Sequence, residues 1–412
     1  MTAGPSSPPS SIVLSERVRR LKPSATFAVT ARVRELEAAG KDVIGFGAGE
    51  PDFDTPDPIK EAAIGALRAG QTGYQPVPGP LETRTVLARK LERENAIRCG
   101  PDDIVISCGA KHSLYLAIQA VLDPGREAIL ATPAWVSYRP MIELCGGIAV
   151  EVPGAVANDF KITPEQLEAA ITPRTAVFIV NSPSNPCGIT YTPAELTALA
   201  DVLLRHEHVA VISDEIYEKL IFAGVPHFSP GSIDALAERV VTINGMSKAY
   251  AMTGWRLGYA CAPGPGIAKA IGKLQGQMTS HATAFCYPAI VEAVTNGDAA
   301  VESMRRTFAE RAEVIHARLG AIEGVLCPRP TGAFYVFPDV GAYFGRTSPG
   351  GRPIDSSVSF AEALLEEALV AVVPGDGFGA CAKRHVRLSF ACGMDAIEEG
   401  CRRIAEWMAR CA

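Results

Sequence analysis

The chain has 412 residues, of which 48% are hydrophobic and 20% are charged. This composition supports a large buried core divided over two or three domains, and it excludes global disorder. The formal net charge of −6 disfavours binding to nucleic acid or to an anionic membrane, because those partners attract basic surfaces. Small molecules are therefore the expected partners.

The N-terminal residues 1–11, "MTAGPSSPPSS", are rich in Pro and Ser and lack the basic start and apolar run of a secretory signal. We predict a disordered tail there. The 11 cysteines are scattered without a C-x-x-C pair, which is typical of reduced thiols in a cytoplasmic protein. No uninterrupted apolar stretch of about 20 residues is present, so we expect no membrane span.

A glycine cluster, "GFGAGEPDF" at 45–53, is the first candidate motif along the chain. Its G-x-G-x-G spacing is typical of a dinucleotide-binding turn, which must open a helix that receives the pyrophosphate. The cluster instead runs into "EPDFDTPDP", whose prolines are incompatible with that helix. We therefore reject a dinucleotide site.

Apolar, β-branched runs, each followed by a turn and a helix-like stretch, recur through the middle of the chain. They lie at 102–122, 127–145, 175–188, 208–220 and 239–250. Nearly continuous apolar strands that alternate with helices indicate a parallel sheet covered on both faces. The sequence thus predicts an α/β protein with a large doubly wound, mostly parallel-sheet domain over 51–299.

Beyond residue 300 the order of strand-like and helix-like stretches is mixed. The long helical pattern near 300–322 is followed by strand-like "GAFYVFPD" and "HVRLSFAC" and by the amphipathic "DAIEEGCRRIAEWMARC". This pattern favours a smaller α+β domain. We assign it residues 300–412 and expect the N-terminal segment 12–50 to contribute to it.

Three polar residues follow successive strand-like runs: Asn185, Asp214 and Lys248. They are about 30 residues apart, the length of one strand-helix unit, and open parallel sheets bind ligands at the carboxyl ends of their strands. Each residue alone has an ordinary explanation as a turn residue, a helix cap or a solvated charge. Together they are expected to face one crevice.

The same segments carry a family resemblance. The blocks "SPSNPCG" (182–188), "DEIY" (214–217) and "SKAYAMTGWRLGY" (247–259) resemble the signature blocks of class I aminotransferases of fold type I. The bacterial aspartate aminotransferase branch is the most similar, since "AGEPDFDTP" (48–56) and "VRLSFA" (386–391) also match. The resemblance covers roughly residues 12–410 and implies pyridoxal 5'-phosphate as the cofactor.

The resemblance implies a role for each residue of the crevice. Lys248 is expected to form a Schiff base with the cofactor aldehyde and, once displaced by substrate, to act as general base on the substrate Cα proton. Asp214 would pair with the protonated pyridine nitrogen. Tyr217 and Asn185 would donate hydrogen bonds to the phenolic oxygen of the ring.

The cofactor phosphate needs donors and positive charge. The resemblance assigns it to Arg256, to Ser247 and to the backbone of Gly109, Ala110 and Lys111, where a predicted helix N-terminus points at the anion. Relatives more often have a second glycine, or Gly-Thr, where this chain has Ala110. The backbone contacts at that turn are therefore left open.

Further residues match substrate-side positions of the family. Trp135 would stack on the cofactor ring and, with Asn185, border the substrate; Arg387 would bind the substrate α-carboxylate, and Gly49 would admit that carboxylate close to the backbone. Tyr74 would cross to the cofactor phosphate of the partner in a homodimer with shared active sites. As single aromatics, Trp135 and Tyr74 also fit plain packing roles.

Other chemistries find little support. No H-E-x-x-H is present, and the pair of histidines at 206 and 208 fits a solvated helix end, so we expect no metal. A G-x-S-x-G elbow is also missing, which disfavours a serine hydrolase.

The expected reaction is a ping-pong exchange of an amino group between an amino acid, first aspartate, and a 2-oxo acid, 2-oxoglutarate. The segment 275–285, which binds the distal carboxylate through an arginine of the partner subunit in some relatives, holds no arginine. Thr279, Ser280 or His281 are candidate substitutes, and aromatic, prephenate-like or neutral substrates stay open.

A C–S lyase or synthase would share every cofactor residue. A non-catalytic regulator usually has an added basic N-terminal domain, for which the short tail leaves no room.

Overall fold

The computed structural model describes residues 13–21 and 25–412, so the predicted tail at 1–11 lies outside the described residues. The strands of the described chain, in order, are β1 (Ile44–Gly45), β2 (Ile104–Cys108), β3 (Glu127–Thr132), β4 (Ile148–Pro153), β5 (Thr175–Asn181), β6 (Ala210–Asp214), β7 (Val240–Gly245), β8 (Leu257–Cys261), β9 (Tyr335–Val336), β10 (Arg346–Thr347), β11 (Pro353–Ile354), β12 (Val370–Ala371), β13 (Val373–Pro374) and β14 (Val386–Ser389).

The α-helices of the same residues are α1 (Glu16–Arg20), α2 (Ala25–Ala38), α3 (Asp57–Arg68), α4 (Leu81–Asn95), α5 (Ala110–Val121), α6 (Tyr138–Leu144), α7 (Pro164–Ala170), α8 (Pro193–Leu204), α9 (Ile267–Met278), α10 (Tyr287–Asn296), α11 (Asp298–Gly320), α12 (Ser357–Ala368) and α13 (Met394–Met408). Within the described ranges, none of them is long and apolar enough to cross a membrane.

Seven of the described strands form one sheet in the order β2-β8-β7-β6-β5-β3-β4. The neighbours from β7 to β4 are all parallel, which confirms the predicted mostly parallel, doubly wound sheet. β8 alone runs antiparallel to both of its neighbours, β2 and β7. Its first residue therefore lies at the edge of the sheet where the other strands end.

Both faces of this sheet are covered, which explains why its strands are nearly continuous in apolar residues. Along β5, Phe178 packs with helices α7 and α8 on one face. The next residue, Ile179, packs with α5, α6 and α9 on the other face. A third cluster joins α3, α4 and α10 to the β2 and β8 end of the sheet.

The smaller domain combines residues from both ends of the chain. β1 pairs in parallel with β12, and β13, β14 and β9 form a three-stranded antiparallel sheet. Ile44 and Phe46 from the N-terminal segment share one core with Phe308, Phe360 and Trp407 of helices α11, α12 and α13. This arrangement confirms an α+β unit built from both termini, while the boundaries at 50 and 300 stay predictions.

Candidate active site

The predicted crevice lies where the strands of the large sheet end. Asp214 is the last residue of β6, Asn185 lies in the loop after β5, and Lys248 lies in the turn after β7. Arg387, on β14 of the smaller domain, donates a hydrogen bond to the Asn185 side chain at 3.0 Å. The structure therefore joins the two domains at the predicted site.

The Lys248 ammonium lies between the glycine-rich segment and an aromatic wall. Its Nζ donates to the carbonyl oxygen of Gly49, and it lies 5.9 Å from the centroid of the Tyr217 ring and 5.7 Å from that of Phe334. A side chain at position 49 would crowd this wall, because a Cβ there would be 3.1 Å from the hydroxyl of Tyr335. The predicted role of Gly49 toward the substrate carboxylate stays a prediction.

Burial lowers the pKa of Lys248 to about 8. The carboxylates of Glu50 and Asp214 oppose this shift, while the positive charges of Arg387 and Arg256 add to it. Desolvation penalises the charged ammonium, so a substantial share of the amine is neutral near physiological pH. A neutral amine is the form that can act as a nucleophile or a base.

Asp214 is buried, and its carboxylate accepts hydrogen bonds from the Tyr138 hydroxyl at 2.7 Å and from the backbone N–H of Ile216 at 3.3 Å. Burial raises the pKa of Asp214 to about 6, against the opposing effect of the Tyr138 bond. The group is therefore anionic at neutral pH. Sequence reasoning did not identify Tyr138, whose only signal is its position three residues after Trp135.

Tyr217 and Tyr335 form a buried pair of hydroxyls beside Lys248. Their oxygen atoms lie 2.9 Å apart, and burial raises the pKa of Tyr217 well above its usual range. Tyr217 therefore stays a neutral hydrogen-bonding group. Tyr335, on the short strand β9, was not predicted, because nothing in its local sequence separates it from a core tyrosine.

Arg387 is 3% exposed and is held on several sides. Besides its bond to Asn185, its Nη2 donates to the carbonyl of Gly47 at 2.8 Å. Its guanidinium lies 4.7 Å from the centroid of the Tyr335 ring and 5.5 Å from that of Phe378. Its Nε is buried and has no hydrogen-bond partner among the residues that the structure describes, so the fork keeps an open donor for an anion.

A second cationic cradle forms where β2 turns into α5. Gly109 has a positive φ of 88° and begins this turn, and a Cβ there would lie 2.5 Å from Nη2 of Arg256. Behind it, a Cβ on Gly258 would lie 2.1 Å from the backbone N of Ala110. Arg256 itself has a left-handed φ of 56° and donates to the carbonyl of Thr253 at 2.8 Å. The two glycines thus allow the helix N-terminus and the guanidinium to approach closely.

Lys111 borders the same cradle, and Ser247 lies in the turn after β7. Ser247 is buried, and the Lys111 ammonium lies 5.0 Å from the centroid of the Trp135 ring. Burial and the neighbouring charge of Arg256 lower the pKa of Lys111. In the described part of the chain this ammonium has neither a hydrogen-bond nor an ion-pair partner.

Tyr74 differs from the other predicted site residues, because its side chain is 92% exposed. Its ring lies edge-on to His281, with centroids 5.8 Å apart, and the backbone N–H of Gln75 donates to Nε2 of His281 at 3.1 Å. Thr279 and Ser280 are also exposed. This group therefore lies on the outer surface of its own chain.

Comparison with known proteins gives a consistent result. Residues 41–404 match the aminotransferase class I and II family. The chain is 47% identical over 397 residues to an aspartate/prephenate aminotransferase of Cereibacter sphaeroides, covering 96% of this chain and 98% of that protein. It is 45% identical over 396 residues to an aspartate aminotransferase of Bacillus subtilis, covering 96% and 98%.

Solved structures agree. An aspartate aminotransferase from Rhizobium meliloti superposes with a TM-score of 0.94 at 38% identity, covering 98% of this chain and 100% of that one. A Thermus thermophilus aspartate aminotransferase with maleate gives a TM-score of 0.89 at 42% identity, covering 96% and 99%. The chain belongs to the class I and II aminotransferases. Within that family it is similar to bacterial aspartate and aspartate/prephenate aminotransferases, as the sequence resemblance predicted.

Proposed function

We propose that this aminotransferase uses pyridoxal 5'-phosphate to exchange an amino group between aspartate and 2-oxoglutarate. The observation that carries the proposal is the buried Arg387 fork, whose Nε has no hydrogen-bond partner among the described residues, and whose charge acts on the amine of Lys248, a group with a pKa lowered to about 8. A carboxylate-binding guanidinium near an amine that loses its proton readily is the arrangement needed to hold an amino acid and remove its Cα proton.

The residues present fit the cofactor. The cradle of Gly109 and Arg256, which a Cβ at position 109 would fill, suits a phosphate together with the hydroxyl of Ser247. Asp214, anionic at neutral pH, suits a protonated ring nitrogen. Lys248 would hold the cofactor aldehyde. Once bound, pyridoxal phosphate supplies an electron sink for the substrate Cα.

The chain's own side chains perform the remaining work. Arg387 would bind the substrate α-carboxylate and so orient the Cα–H bond toward Lys248, whose Nζ would take the proton and later return one. Asp214 would keep its charge in a site closed to water, where a fixed carboxylate acts more strongly than in bulk solvent. The Trp135 ring would cover one face of the bound ring.

The distal carboxylate of aspartate needs a cation, and Lys111 is the candidate we favour over residues 279–281. Its ammonium lies at the Trp135 ring, whereas Thr279 and Ser280 are exposed on the outer surface. The aspartate aminotransferase of Thermus thermophilus was solved with maleate, a four-carbon dicarboxylate. Prephenate, a second candidate substrate, also has two carboxylates, and the relative from Cereibacter sphaeroides is named for both.

A half-reaction screen tests the substrate. Purified protein loaded with cofactor is mixed with one amino acid at a time, and conversion of the bound cofactor to its amino form is followed by absorbance. We expect aspartate and glutamate to convert it fastest. Conversion by neutral amino acids alone would contradict the proposal, and release of pyruvate and ammonia would identify a lyase instead.

A Lys111→Gln variant tests, in the same screen, whether Lys111 binds the distal carboxylate. The variant should lose about tenfold in kcat/KM for aspartate, the effect of one lost charge-assisted hydrogen bond, while alanine or phenylalanine reacts as before. Lys273→Gln, at an exposed lysine on α9, is the matched control. An equal loss for charged and neutral substrates would exclude Lys111 from the distal site.

We also propose that the chain works as a homodimer, with Tyr74 acting across the interface. The side chains of Tyr74, Leu81 and Met278 are large, apolar and exposed. The segments that carry them adjoin, because Gln275 on α9 donates to the carbonyl of Val77 at 2.7 Å. An exposed apolar surface of this kind is typical of a subunit contact.

Subunit exchange tests the shared site. Lys248→Ala and Tyr74→Ala chains, each poorly active, are unfolded and refolded together. A mixed dimer has one intact site, with Lys248 from one chain and Tyr74 from the other, so activity should exceed the mean of the two parents. If exchange occurs and activity stays at that mean, Tyr74 does not act in trans.

A further inference from the structure

A second group of buried charges lies directly behind Asp214. Successive residues at the end of a strand point to opposite faces, so Glu215 faces away from the crevice that Asp214 enters. We call the group the rear network, and it comprises Lys90, Asn95, Ser213, Glu215, Glu218, His227 and Ser229. Glu215 lies in the block "DEIY" (214–217), but the sequence predicted no role for any of these residues.

Glu215, only 1% exposed, is the centre of the rear network. Its Oε1 accepts hydrogen bonds from the hydroxyls of Ser213 at 2.8 Å and Ser229 at 2.6 Å. Its Oε2 accepts from Asn95 Nδ2 at 3.1 Å and is bonded to His227 Nε2 at 3.0 Å. Four partners from three separate segments thus fix one carboxylate in place.

The remaining charges of the rear network are matched internally. Lys90, 2% exposed, donates to Glu218 and to Asn95 Oδ1. Desolvation opposes ionisation of Glu218, but Lys90 and His227 outweigh it and lower its pKa to about 2. Desolvation likewise opposes the charge on His227, but Glu215 and Glu218 outweigh it and raise its pKa.

Two carboxylates and an imidazole within reach of one another could also bind a metal ion. Here the ammonium of Lys90 already hydrogen-bonds Glu218 and Asn95. Lys90 thus supplies the positive charge that a metal ion would otherwise bring to these carboxylates. The cluster is therefore better explained as a closed scaffold than as a metal site.

We propose that Glu215 is a positioning residue, through which the rear network fixes residues 214–217 so that Asp214 and Tyr217 meet the cofactor. The inference rests on the proposed function. Glu215 also ties the backbone, since its N–H donates to the carbonyl of Ile243 at 2.9 Å and its own carbonyl accepts from the N–H of Glu218 at 2.9 Å. A shift of Glu215 would therefore move the Asp214 carboxylate.

The test compares Glu215→Gln with Glu127→Gln. The first variant keeps the side-chain volume but replaces one acceptor oxygen with an NH₂ group and removes the charge that pairs with His227. The second replaces an equally buried glutamate, 4% exposed, that accepts from Thr172 at 2.6 Å at the opposite end of the sheet. Glu127 lies at the start of β3, away from the crevice, and so serves as the matched control.

The readouts are the affinity of apoprotein for pyridoxal phosphate, the pH titration of the absorbance of the bound cofactor, and the melting temperature of the apoprotein. For Glu215→Gln we expect roughly a tenfold weaker affinity and a shifted titration midpoint, the scale of one lost hydrogen bond to a charge. Glu127→Gln should lower the melting temperature but leave affinity and titration as in the wild type.

His227→Gln provides a milder variant in case Glu215→Gln does not fold. Its amide keeps a donor near Oε2 of Glu215 but removes the charge, so a smaller shift in the same direction is expected. Wild-type affinity and titration in every folded variant of the rear network would overturn the inference. If the wild-type protein takes up no cofactor, the proposed function fails first and the inference fails with it.

Discussion

The turn at 214–217 has charged groups on two sides, with Arg387 and Lys248 at the front and the rear network behind, and the two sides differ in how fully their charges are paired. At the rear, Glu215 has four hydrogen-bonding partners. At the front, Arg387 Nε has no partner within the described ranges, and Lys248 lies near two aromatic rings and has a lowered pKa. Charged side chains are buried on both sides, so burial alone does not identify a ligand site. The front differs because its charged groups lack some of their hydrogen-bond partners.

The difference has an energetic basis. A buried charge without a full set of partners is costly, and a ligand that supplies the partner recovers that cost. A fully paired network gains nothing from a ligand, but losing one member leaves another charge uncompensated. Substitutions of front residues such as Lys248 should therefore mainly reduce activity. Substitutions in the rear network should mainly reduce the free energy of unfolding.

The largest effect is expected from Lys248→Ala. Turnover should fall by several orders of magnitude, because the proposed mechanism gives this one residue both a covalent and an acid–base role, while the unfolding free energy is kept or increased. Steady-state kinetics and urea unfolding measure both quantities. In the wild type, borohydride should fix the cofactor to the peptide that contains Lys248. Near-normal turnover, or label on a different lysine, would show that Lys248 does not hold the cofactor.

The next effect is expected from Lys90→Met at the rear. Removing one partner of a buried ion pair should lower the unfolding free energy of the apoprotein by about 3 kcal/mol. Adding Glu218→Gln to the same chain should restore part of this loss, because the uncompensated carboxylate is then gone. If Lys90→Met alone is as stable as the wild type, the rear network does not stabilise the fold.

The smallest effect is a pH dependence from His227. Its pKa is raised in the folded protein, so its stabilising charge is fully present below the ordinary imidazole pKa of about 6.5 and is lost as the pH rises through the raised value. The stability difference between wild type and His227→Gln should therefore shrink as the pH increases. A difference that stays constant or grows with pH would mean that the imidazole carries no charge there.

Sequence reasoning predicted the mostly parallel sheet because its strands are buried on both faces, and it identified Lys248, Asp214 and Arg387 through strand ends and family blocks. The structure brings these residues together, and their catalytic roles stay predictions. Tyr138 and Tyr335 were missed because their importance depends on distances between segments that are far apart in the chain. Lys90 and Glu218 lie in charged stretches that resemble solvated surface, so their burial could not be inferred locally.

The reversed strand β8 has a consequence for the order of folding. The cradle at Gly109 is completed by Arg256, which immediately precedes β8, and β8 is the last strand of the large sheet in chain order, while its neighbour β2 is the first. Contacts between such distant segments form late, because a long loop must close first. A ribosome-bound chain that has not yet emerged through β8 thus lacks this cradle, so cofactor uptake through it would require the complete large sheet.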